Sequence, residues 1–450
     1  MQLRDKCPLL RHLGLAEVGG TTSWRPHGKC GSPLFHRRAE AAVPVKVAIL
    51  TQYYPPEVGA PQARLSALAL AFAQRGHRVT VLTAMPNYPT GKIHAGYGGF
   101  IKREERDGVS VVRTLVYPTQ SPDFPRRLAS YFSFLLSSAA VGTAYLRSLD
   151  YLLVESPPLF LGLTGIWLSR RKRARMVFNV SDLWPESAVR LGALRQGSTA
   201  HALGEWLERL CYRHAWLVTG QSAEIVDDIA SRFPGCETFH VSNGVDTDTF
   251  RPDLATRESR ALLGDGNANH GCLALYAGLH GLAQGLDQVL DAAEHLPPDC
   301  DVRFVLMGDG PAKARLVDRA RARRIDRVRF LDPRPHHLVP AVLAAADILV
   351  VPLLCELPGA VPSKLYEAMA TGRPVILVAR GEAARIVEQH GAGLVVAPGD
   401  RAGLVNAFRR LAADAPLRQR LGANGRVAAV QHFDRKHTAA RFIDLLEQRL

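Results

Sequence analysis

Residues 361–374 (VPSKLYEAMATGRP) place a lysine and a glutamate one helical turn apart, a pattern that could bind a phosphorylated ligand. A helix N-terminus attracts phosphate, and the ammonium of Lys364 beside it would strengthen that attraction. The carboxylate of Glu367 could accept two hydroxyl hydrogen bonds, which the diol of a ribose offers. These residue types predict a nucleotide site, and the alternative is an ordinary capped helix on the surface.

The position of this segment in the chain supports the first interpretation. It lies between two apolar runs, residues 347–353 and 375–379, that predict buried strands of a parallel sheet. Ser363 is expected to cap the helix and Gly372 to end it. The start of the helix then lies at the carboxyl edge of the sheet, where open α/β sheets bind their ligands.

Composition excludes some classes of protein. The chain has 450 residues, enough for two domains, and its hydrophobic content of 47% is normal for a globular protein. Its formal charge of +14 indicates a polyanionic partner such as nucleic acid, an acidic membrane face or a phosphorylated substrate. Basic stretches are not interleaved with aromatic residues, so no nucleic-acid partner is expected. The cysteines and histidines are not spaced as metal ligands, which predicts that there is no metal site.

The first regular pattern predicts a β-α-β unit. Residues 1–43 are rich in Gly, Pro and Arg without a period, and we expect them to form a disordered extension. Residues 45–50, 62–75 and 79–83 predict a strand, a helix and a second strand. The first loop holds one glycine, Gly59, and no G-x-G-x-x-G fingerprint, which argues against a nicotinamide-dependent enzyme. Turn geometry or close approach of a ligand would explain Gly59 equally well.

Residues 128–146 are apolar and allow three interpretations. The stretch is uncharged and nearly long enough to cross a bilayer, but serines recur on one side at helical spacing. It could therefore cross a membrane, pack inside a domain or lie on a membrane surface. The basic run at residues 170–175 fits either a solvated face or contact with anionic lipid.

Strand and helix patterns alternate through the rest of the chain and restart after a polar segment. We interpret that segment, 243–271, as a linker between two doubly wound α/β domains at 44–242 and 272–424. A C-terminal helix at 425–450 is expected to pack back toward the first domain. Further strands are predicted at residues 151–155, 176–180, 217–220, 272–277, 302–307, 328–331 and 393–397.

Eight short motifs occur in order along this pattern. With them the chain resembles the family-4 glycosyltransferases of GT-B fold, in which two tandem Rossmann-like domains face a central cleft. Within the family it is most similar to the WbuB-like branch, which assembles O-antigen and capsular polysaccharide. The motifs are YYPPEVGAPQAR, SDLWPESA, SNGVDTDTF, YAGLHGLAQGLDQ, MGDGP, AAADILVVPL, PSKLYEAMATGRPV and GAGLVVAPGD.

The resemblance implies a retaining hexosyl transfer that uses no metal or other cofactor. The donor, expected to be a UDP-sugar, would bind mainly to the second domain, and the acceptor to the first. Glu367 matches a glutamate that contacts the donor ribose, and Gly59 matches a loop glycine that faces the diphosphate. Further donor contacts are predicted in the loop at 278–285 (GLHGLAQG), at Gly278, His280, Gly281 and Gln284. For His280 the alternative is that it is only a loop residue.

Three departures from the family pattern concern the donor. Gly359 stands where relatives usually carry the first of two donor-site glutamates. Leu279 and Gln284 occupy the places of an arginine and a lysine that bind phosphate. Ser181 replaces a frequent histidine. The usual cations for the diphosphate are therefore missing.

Other groups must then stabilise the leaving charge. A sugar–diphosphate bond breaks to a cationic sugar and an anionic leaving group, which cations, amides and helix dipoles can stabilise. We expect Lys364, Arg380 and the backbone N–H groups of residues 278–281 to do this, with Lys364 as a catalytic residue.

Two carboxylates in the SDLWPES segment are further catalytic candidates. Asp182 could orient the acceptor hydroxyl or accept its proton, and the alternative is a helix cap. Glu186 could contact the substituents of the sugar, and the alternative is a first-turn helix carboxylate. The donor phosphate itself could take the proton, in which case no protein base is needed.

The predicted reaction moves a sugar, expected to be N-acetylated, to a polyprenyl-diphosphate-linked sugar in bacterial cell-surface polysaccharide biosynthesis. The basic charge would attract lipid diphosphate and anionic head groups, so we expect a cytoplasmic protein that is peripheral on the inner face of the cytoplasmic membrane. The competing functions are a nucleotide-sugar epimerase of the same fold and a non-catalytic membrane-associated protein. An epimer formed without an acceptor would favour the first, and failure to bind nucleotide the second.

Overall fold

The structure is a computed structural model that describes residues 44–88, 90–119, 124–264 and 271–450. The described residues form two α/β bodies, each built around its own largely parallel sheet, which confirms the predicted fold class. The extension predicted at residues 1–43 lies outside the described residues.

The first body is built on a mostly parallel sheet. Its described strands are β1 (Lys46–Leu50), β2 (Arg78–Ala84), β3 (Ile101–Arg106), β4 (Val109–Thr114), β5 (Tyr151–Ser156), β6 (Arg175–Val180), β7 (Leu217–Gly220) and β8 (Thr238–His240). They lie in the order β3-β4-β2-β1-β5-β6-β7-β8, and β3 runs antiparallel to β4 at the edge. Strand β5 is buried along its whole length because helices cover both faces of the sheet.

Helices pack on both sides of this sheet. The described helices of the first body are α1 (Ala60–Gln74), α2 (Phe124–Tyr145), α3 (Leu161–Lys172), α4 (Glu186–Arg190), α5 (Thr199–His214) and α6 (Ala223–Arg232). Helix α1 begins earlier than predicted because Pro61 lies in its first turn, where a missing N–H costs nothing.

Helix α2 packs one face into the first body and exposes the other. The hydroxyl of Ser137 donates to the carbonyl of Leu115 at 2.6 Å, and Phe134 is fully buried. On the other side, Phe132 and Leu136 are 39% and 66% exposed. In the described part of the chain, no helix combines the length and the apolarity needed to cross a bilayer. The interpretation of residues 128–146 as a membrane span is therefore wrong.

The second body has a parallel sheet. Its described strands are β9 (Cys272–Ala277), β10 (Val302–Met307), β11 (Val328–Leu331), β12 (Ile348–Pro352), β13 (Val375–Val378) and β14 (Gly393–Val396), in the order β11-β10-β9-β12-β13-β14. Its described helices are α7 (Arg257–Ala261), α8 (Asp287–His295), α9 (Lys313–Ala322), α10 (Val339–Ala344), α11 (Ser363–Ala370), α12 (Glu382–Gln389), α13 (Arg401–Ala413) and α14 (Ala415–His432).

Two sequence expectations around this body need correction. Helix α11 has Pro362, not Ser363, at its N-cap position, and within the described chain no side chain caps it. The segment interpreted as a linker contributes α7, and it buries Phe250 and Leu263 in the core of the second body. Its polar composition had hidden these two core residues.

The described chain crosses between the bodies at two neighbouring points, which together form a hinge. Val245 at the first crossing pairs with Asp434 at the second, and its N–H donates to the carbonyl of Phe433 at 2.9 Å. After the second crossing, α15 (Arg435–Glu447) packs on α1 of the first body. There the rings of Phe442 and Phe72 lie 6.5 Å apart.

The carboxyl edges of the two sheets face each other. Helix α6 follows β7 of the first body, and a Cβ on Gly359, which follows β12 of the second, would lie 2.4 Å from Cγ1 of Ile225. Beside this contact, the N–H of Glu224 donates to the carboxylate of Glu382, which follows β13. The loops at these edges therefore border a common cleft, which is where parallel sheets bind ligands.

Candidate active site

The loop after β9, residues 278–285, lies directly against Lys364; we call it the glycine loop. A Cβ on Gly278 would be 2.1 Å from Cε and 2.8 Å from Nζ of Lys364. Gly278 also has a φ of +145°, which other residues rarely adopt, so glycine is required there. The structure thus brings the loop and the lysine together, as the sequence predicted.

The ammonium of Lys364 is held in partly apolar surroundings. Its Nζ lies 5.9 Å from the centroid of the Tyr276 ring. Burial lowers the pKa of Lys364, and the Glu367 carboxylate on the next turn of α11 acts in the opposite direction. An anion bound beside Nζ would stabilise the protonated form further. The surroundings of Lys364 therefore favour the binding of an anion beside its ammonium group.

A second cation close to Glu367 comes from the hinge. The guanidinium of Arg435 donates to the carbonyls of Asn243 at 2.9 Å and Gly244 at 3.1 Å. Burial lowers the pKa of Arg435, and among the carboxylates Glu367 opposes this most strongly. The predicted cation Arg380 lies exposed just beyond β13. The sequence pattern gave no reason to single out Arg435.

His280 lies in the interior of the glycine loop. Its ring packs against Tyr276 and Phe330, with centroid distances of 5.8 Å and 6.4 Å. Both ring nitrogens are buried without a hydrogen-bond partner in the described residues, and burial lowers the pKa of His280 to about 4. A neutral ring in this position supports the loop, and the predicted donor contact would require the loop to move.

The other members of the glycine loop present uncharged groups. The side-chain oxygen of Gln284 lies beside Gly281, 2.5 Å from where a Cβ would be. Leu279 and Leu282 are 45% and 72% exposed. The N–H groups of Gly278 and His280 already donate to the carbonyls of Met307 and Asp309, so a ligand would have to meet those of Leu279 and Gly281. The ammonium of Lys364 lies against this loop.

Gly59 forms the N-cap of α1 at the edge of the first body. Its φ of 174° is extended backbone, which any residue adopts. A Cβ there would meet only the end of the flexible Gln62 side chain, at 2.5 Å. Turn geometry therefore does not explain this glycine, and close approach of a ligand stays the prediction for it.

Asp182 directly follows Ser181, which belongs to a buried polar network at the end of β6. The guanidinium of Arg64 donates to the Glu155 carboxylate at 2.6 Å, and the hydroxyl of Ser181 donates to the same oxygen at 2.7 Å. Asn179 donates to the second Glu155 oxygen at 3.0 Å. Ser181, which replaces the frequent histidine, therefore points into the body and not into the cleft.

The carboxyl group of Asp182 combines solvent access with a raised pKa. The residue is exposed at the carboxyl edge of the sheet, directly after the buried Ser181. Desolvation raises the pKa of Asp182 to about 6, and the Glu155 carboxylate is the second cause. Such a group can accept a proton near neutral pH.

Glu186 has a local partner. It begins α4 and accepts two hydrogen bonds from the Arg190 guanidinium one turn later, the shorter of 2.8 Å. This is the first-turn carboxylate that the sequence offered as the alternative, and a sugar contact for Glu186 stays a prediction.

Besides Arg435, the sequence did not reveal the roles of three further residues that shape the site. Arg64 and Glu155 form its buried ion pair, and the available signal was a single charge in an otherwise apolar helix and another at the end of an apolar strand. In the family pattern, Gly359 occupies the place of a donor-site carboxylate. Its φ of +68° and its contact with Ile225 show that glycine is needed to bring the bodies together.

Comparison with known proteins accounts for most of the chain. The family model described as "Glycosyl transferase 4-like domain" matches residues 59–243, and the one described as "Glycosyl transferases group 1" matches residues 269–428. The chain belongs to the family-4 glycosyltransferases. It is 25% identical over 352 residues to an Escherichia coli K12 protein named as a colanic acid biosynthesis glycosyl transferase, WcaI, covering 74% of this chain and 83% of WcaI.

Solved structures support the GT-B fold of this glycosyltransferase. Sucrose-phosphate synthase of Thermosynechococcus elongatus superposes with a TM-score of 0.73 at 21% identity, covering 90% of this chain and 98% of its own. HepE of Anabaena, solved with UDP-glucose, superposes with a TM-score of 0.66 at 20% identity, covering 90% and 99%. At these identities the likeness shows the fold alone.

Proposed function

We propose that this glycosyltransferase moves an N-acetylated hexosyl group from a UDP-sugar to a polyprenyl-diphosphate-linked sugar, with retention of configuration and without a metal ion. The observation that carries the donor half of the proposal is the contact of the glycine loop with Lys364. The N–H groups of Leu279 and Gly281 and a partly desolvated ammonium lie together there at the carboxyl edge of a parallel sheet, which suits a diphosphate.

The charge of the leaving diphosphate would be carried by the second body. Lys364 is the cation against the glycine loop, and α11 begins one residue before it, so its helix dipole adds to the positive potential. Glu367, with Arg435 nearby, would accept the ribose hydroxyls. Arg380 would meet the diphosphate from the exposed edge. Since these groups supply the positive charge, chelation of divalent ions should leave turnover unchanged.

The acceptor would meet Asp182 on the first body. The raised pKa of Asp182 suits it to orient an acceptor hydroxyl or take its proton, and Gly59 would let the diphosphate approach the start of α1. An aromatic row leads away from this point, since the rings of Trp184 and Phe160 lie 6.3 Å apart and those of Phe160 and Phe132 lie 5.3 Å apart.

This row ends on a surface suited to an anionic membrane. Along α2, Phe132 and Leu136 are exposed, and Trp167 of the neighbouring α3 is 55% exposed. The last turn of α3 carries Arg170, Arg171 and Lys172 beside this apolar face. Apolar side chains next to basic ones bind anionic lipid surfaces, so we propose peripheral attachment at the inner face of the cytoplasmic membrane.

The membrane part is tested by sedimentation with vesicles that contain or lack phosphatidylglycerol. The protein is expected to sediment with the anionic vesicles, and Leu136→Glu is expected to release it. Val427→Glu is a matched control, because Val427 is 53% exposed on the second body. Equal sedimentation of both variants would contradict attachment through α2.

The transfer itself is tested with a panel of UDP-sugars and a polyprenyl-diphosphate-linked N-acetylglucosamine. Mass spectrometry is expected to find one added sugar, and NMR the same anomeric configuration as in the donor. The reaction is expected to proceed equally in EDTA. An epimerised UDP-sugar formed without acceptor would contradict transfer and favour the epimerase, and failure of every nucleotide to bind would favour a non-catalytic protein.

A further inference from the structure

The two bodies also touch away from the hinge, where the first turns of α6 and α12 meet. Helix α6 begins at the carboxyl edge of the first sheet, and α12 begins at that of the second. The contact therefore lies across the cleft, between elements that follow β7 and β13. We call this contact the latch.

The latch consists of two carboxylates, each of which accepts hydrogen bonds from the N-terminal amides of the helix on the other body. Glu382 of α12 accepts hydrogen bonds from the N–H groups of Ala223 at 3.0 Å and Glu224 at 2.6 Å, both on α6. In return, Glu224 accepts a bond from the N–H of Glu382 at 2.9 Å. The guanidinium of Arg385 lies 3.4 Å from the same Glu224 oxygen. Each helix is thus capped by a carboxylate of the other body.

Local sequence leaves these amides available for the partner body. Ser222 caps α6 from within by accepting the N–H of Ile225 at 3.2 Å, which leaves the first two amides of the helix for Glu382. Helix α12 follows Gly381, which has a φ of +70° and no side chain to serve as a cap. The charged carboxylates also interact favourably with the helix dipoles.

Gly359 adds a second point of contact beside the latch. A Cβ on Gly359 would lie 3.0 Å from the hydroxyl of Ser222, so the loop after β12 sits against the start of α6. The same loop is bonded to the glycine loop, since the N–H of Leu354 donates to the carbonyl of Ala283 at 2.8 Å. The latch is thereby connected through backbone to the proposed donor site.

We propose that Glu224 and Glu382 are positioning residues that hold the two bodies closed around the cleft. In the closed state they bring the glycine loop and Asp182 to opposite sides of one site. When the bodies separate, water solvates both carboxylates and the amides that they had bound. Opening therefore leaves no charge buried without a partner. A polar contact of this kind suits a joint that opens and closes in each turnover.

The proposal rests on the proposed function only in assuming that the donor binds in this cleft. It is tested with Glu382→Ala, Glu382→Gln and the matched control Glu388→Ala, an exposed glutamate on the same helix. Small-angle scattering and amide hydrogen exchange of the ligand-free full chain report the latch without any substrate. Donor kinetics then report its effect on the site.

Glu382→Ala is expected to increase the radius of gyration and to speed exchange of the Ala223 and Glu224 amides. It is also expected to raise the donor KM by about tenfold or more, because both hydrogen bonds that the Glu382 carboxylate accepts are lost, with a smaller change in kcat. Glu382→Gln keeps an acceptor oxygen, so its radius of gyration, amide exchange and donor KM should lie between those of the wild type and Glu382→Ala. Glu388→Ala should match the wild type in all three.

The outcomes separate the two proposals. Wild-type scattering and exchange in Glu382→Ala and Glu382→Gln would overturn the latch, whatever the donor. A wild-type protein that binds no nucleotide would overturn the proposed function, and the latch would still be judged from scattering and exchange alone. If the alanine variant fails to fold, the glutamine variant decides.

Discussion

The two bodies share an architecture but build their sides of the cleft differently. In the second body, a loop of glycines lies against one partly desolvated amine, Lys364, and the polar groups there are mainly backbone. In the first, an exposed carboxyl group at Asp182 stands above a buried ion pair of Arg64 and Glu155. We expect the second-body side to bind an anion, whereas the buried polar groups on the first-body side are already hydrogen-bonded to one another. Substitutions in the first body should therefore act on stability before function, and those in the second on function before stability.

The largest effect is expected from Arg64→Met, which leaves Glu155 buried without its ion partner. Removing one member of a buried pair costs about 3–5 kcal/mol of unfolding free energy, which urea unfolding would measure. Arg64→Met/Glu155→Gln should regain much of this loss. The control is Arg75→Met, whose pair with Asp444 is partly exposed and should cost less than about 1 kcal/mol. Equal stability of the two single variants would show that the buried pair contributes no more to the stability of the first body than a surface pair does.

Lys364→Ala is expected to act mainly on turnover. Loss of a cation that stabilises the leaving diphosphate should lower kcat by about a hundredfold to a thousandfold. Unfolding should change little, because the buried amine is removed together with its desolvation cost. Lys436→Ala is the control, since its side chain is 68% exposed in a surface pair with Asp248. Unchanged donor kinetics in Lys364→Ala would show that the assignment is wrong.

Much of the fold could be predicted from sequence, because buried parallel strands are short apolar runs with sharp ends. Strands β7, β9, β10 and β11 have the predicted bounds. The contact between Lys364 and the glycine loop was also predictable, because the carboxyl ends of parallel strands meet at one edge.

The rest could not be predicted, because it depends on partners that are distant in the chain. Glu155 is 91 residues from Arg64, and Glu382 is 158 residues from Glu224. Contacts over such separations cannot be recognised from the composition or the hydrophobic periodicity of the sequence. The burial of His280 could not be predicted for a related reason. Its neighbours in the sequence are the loop residues Leu279 and Gly281, whereas its ring packs against Phe330 of β11.

Gly59→Ala tests whether the first body contacts the donor at the start of α1. The backbone conformation tolerates alanine there and only the end of the Gln62 side chain must shift, so the melting temperature should fall by no more than about 2–4 °C. If the backbone approaches the diphosphate, the donor KM should rise by about tenfold, as expected for one weakened bond to a charged oxygen. An unchanged donor KM would exclude Gly59 from the donor site.

The smallest effect is a pH-dependent stabilisation by Asp182→Asn. The pKa of Asp182 is about 6 in the fold and 3.8 in the unfolded reference, so its contribution to stability is full below pH 3.8 and is lost as the pH rises through about 6. The variant should therefore be more stable than wild type at pH 7, by about 1 kcal/mol or less because water reaches the side chain. At pH 4 the two should be equal in thermal unfolding, and a gain of the same size at both pH values would contradict the raised pKa.

The central claim is that Lys364 binds the diphosphate of the donor in place of the missing loop cations. Calorimetric titration of wild type and Lys364→Ala with UDP and with uridine tests it directly, because the two ligands differ only in the diphosphate. In the wild type, UDP should bind more tightly than uridine. In the variant, this preference should fall by about tenfold or more while uridine affinity is unchanged. A preference for UDP that survives in Lys364→Ala would contradict the account.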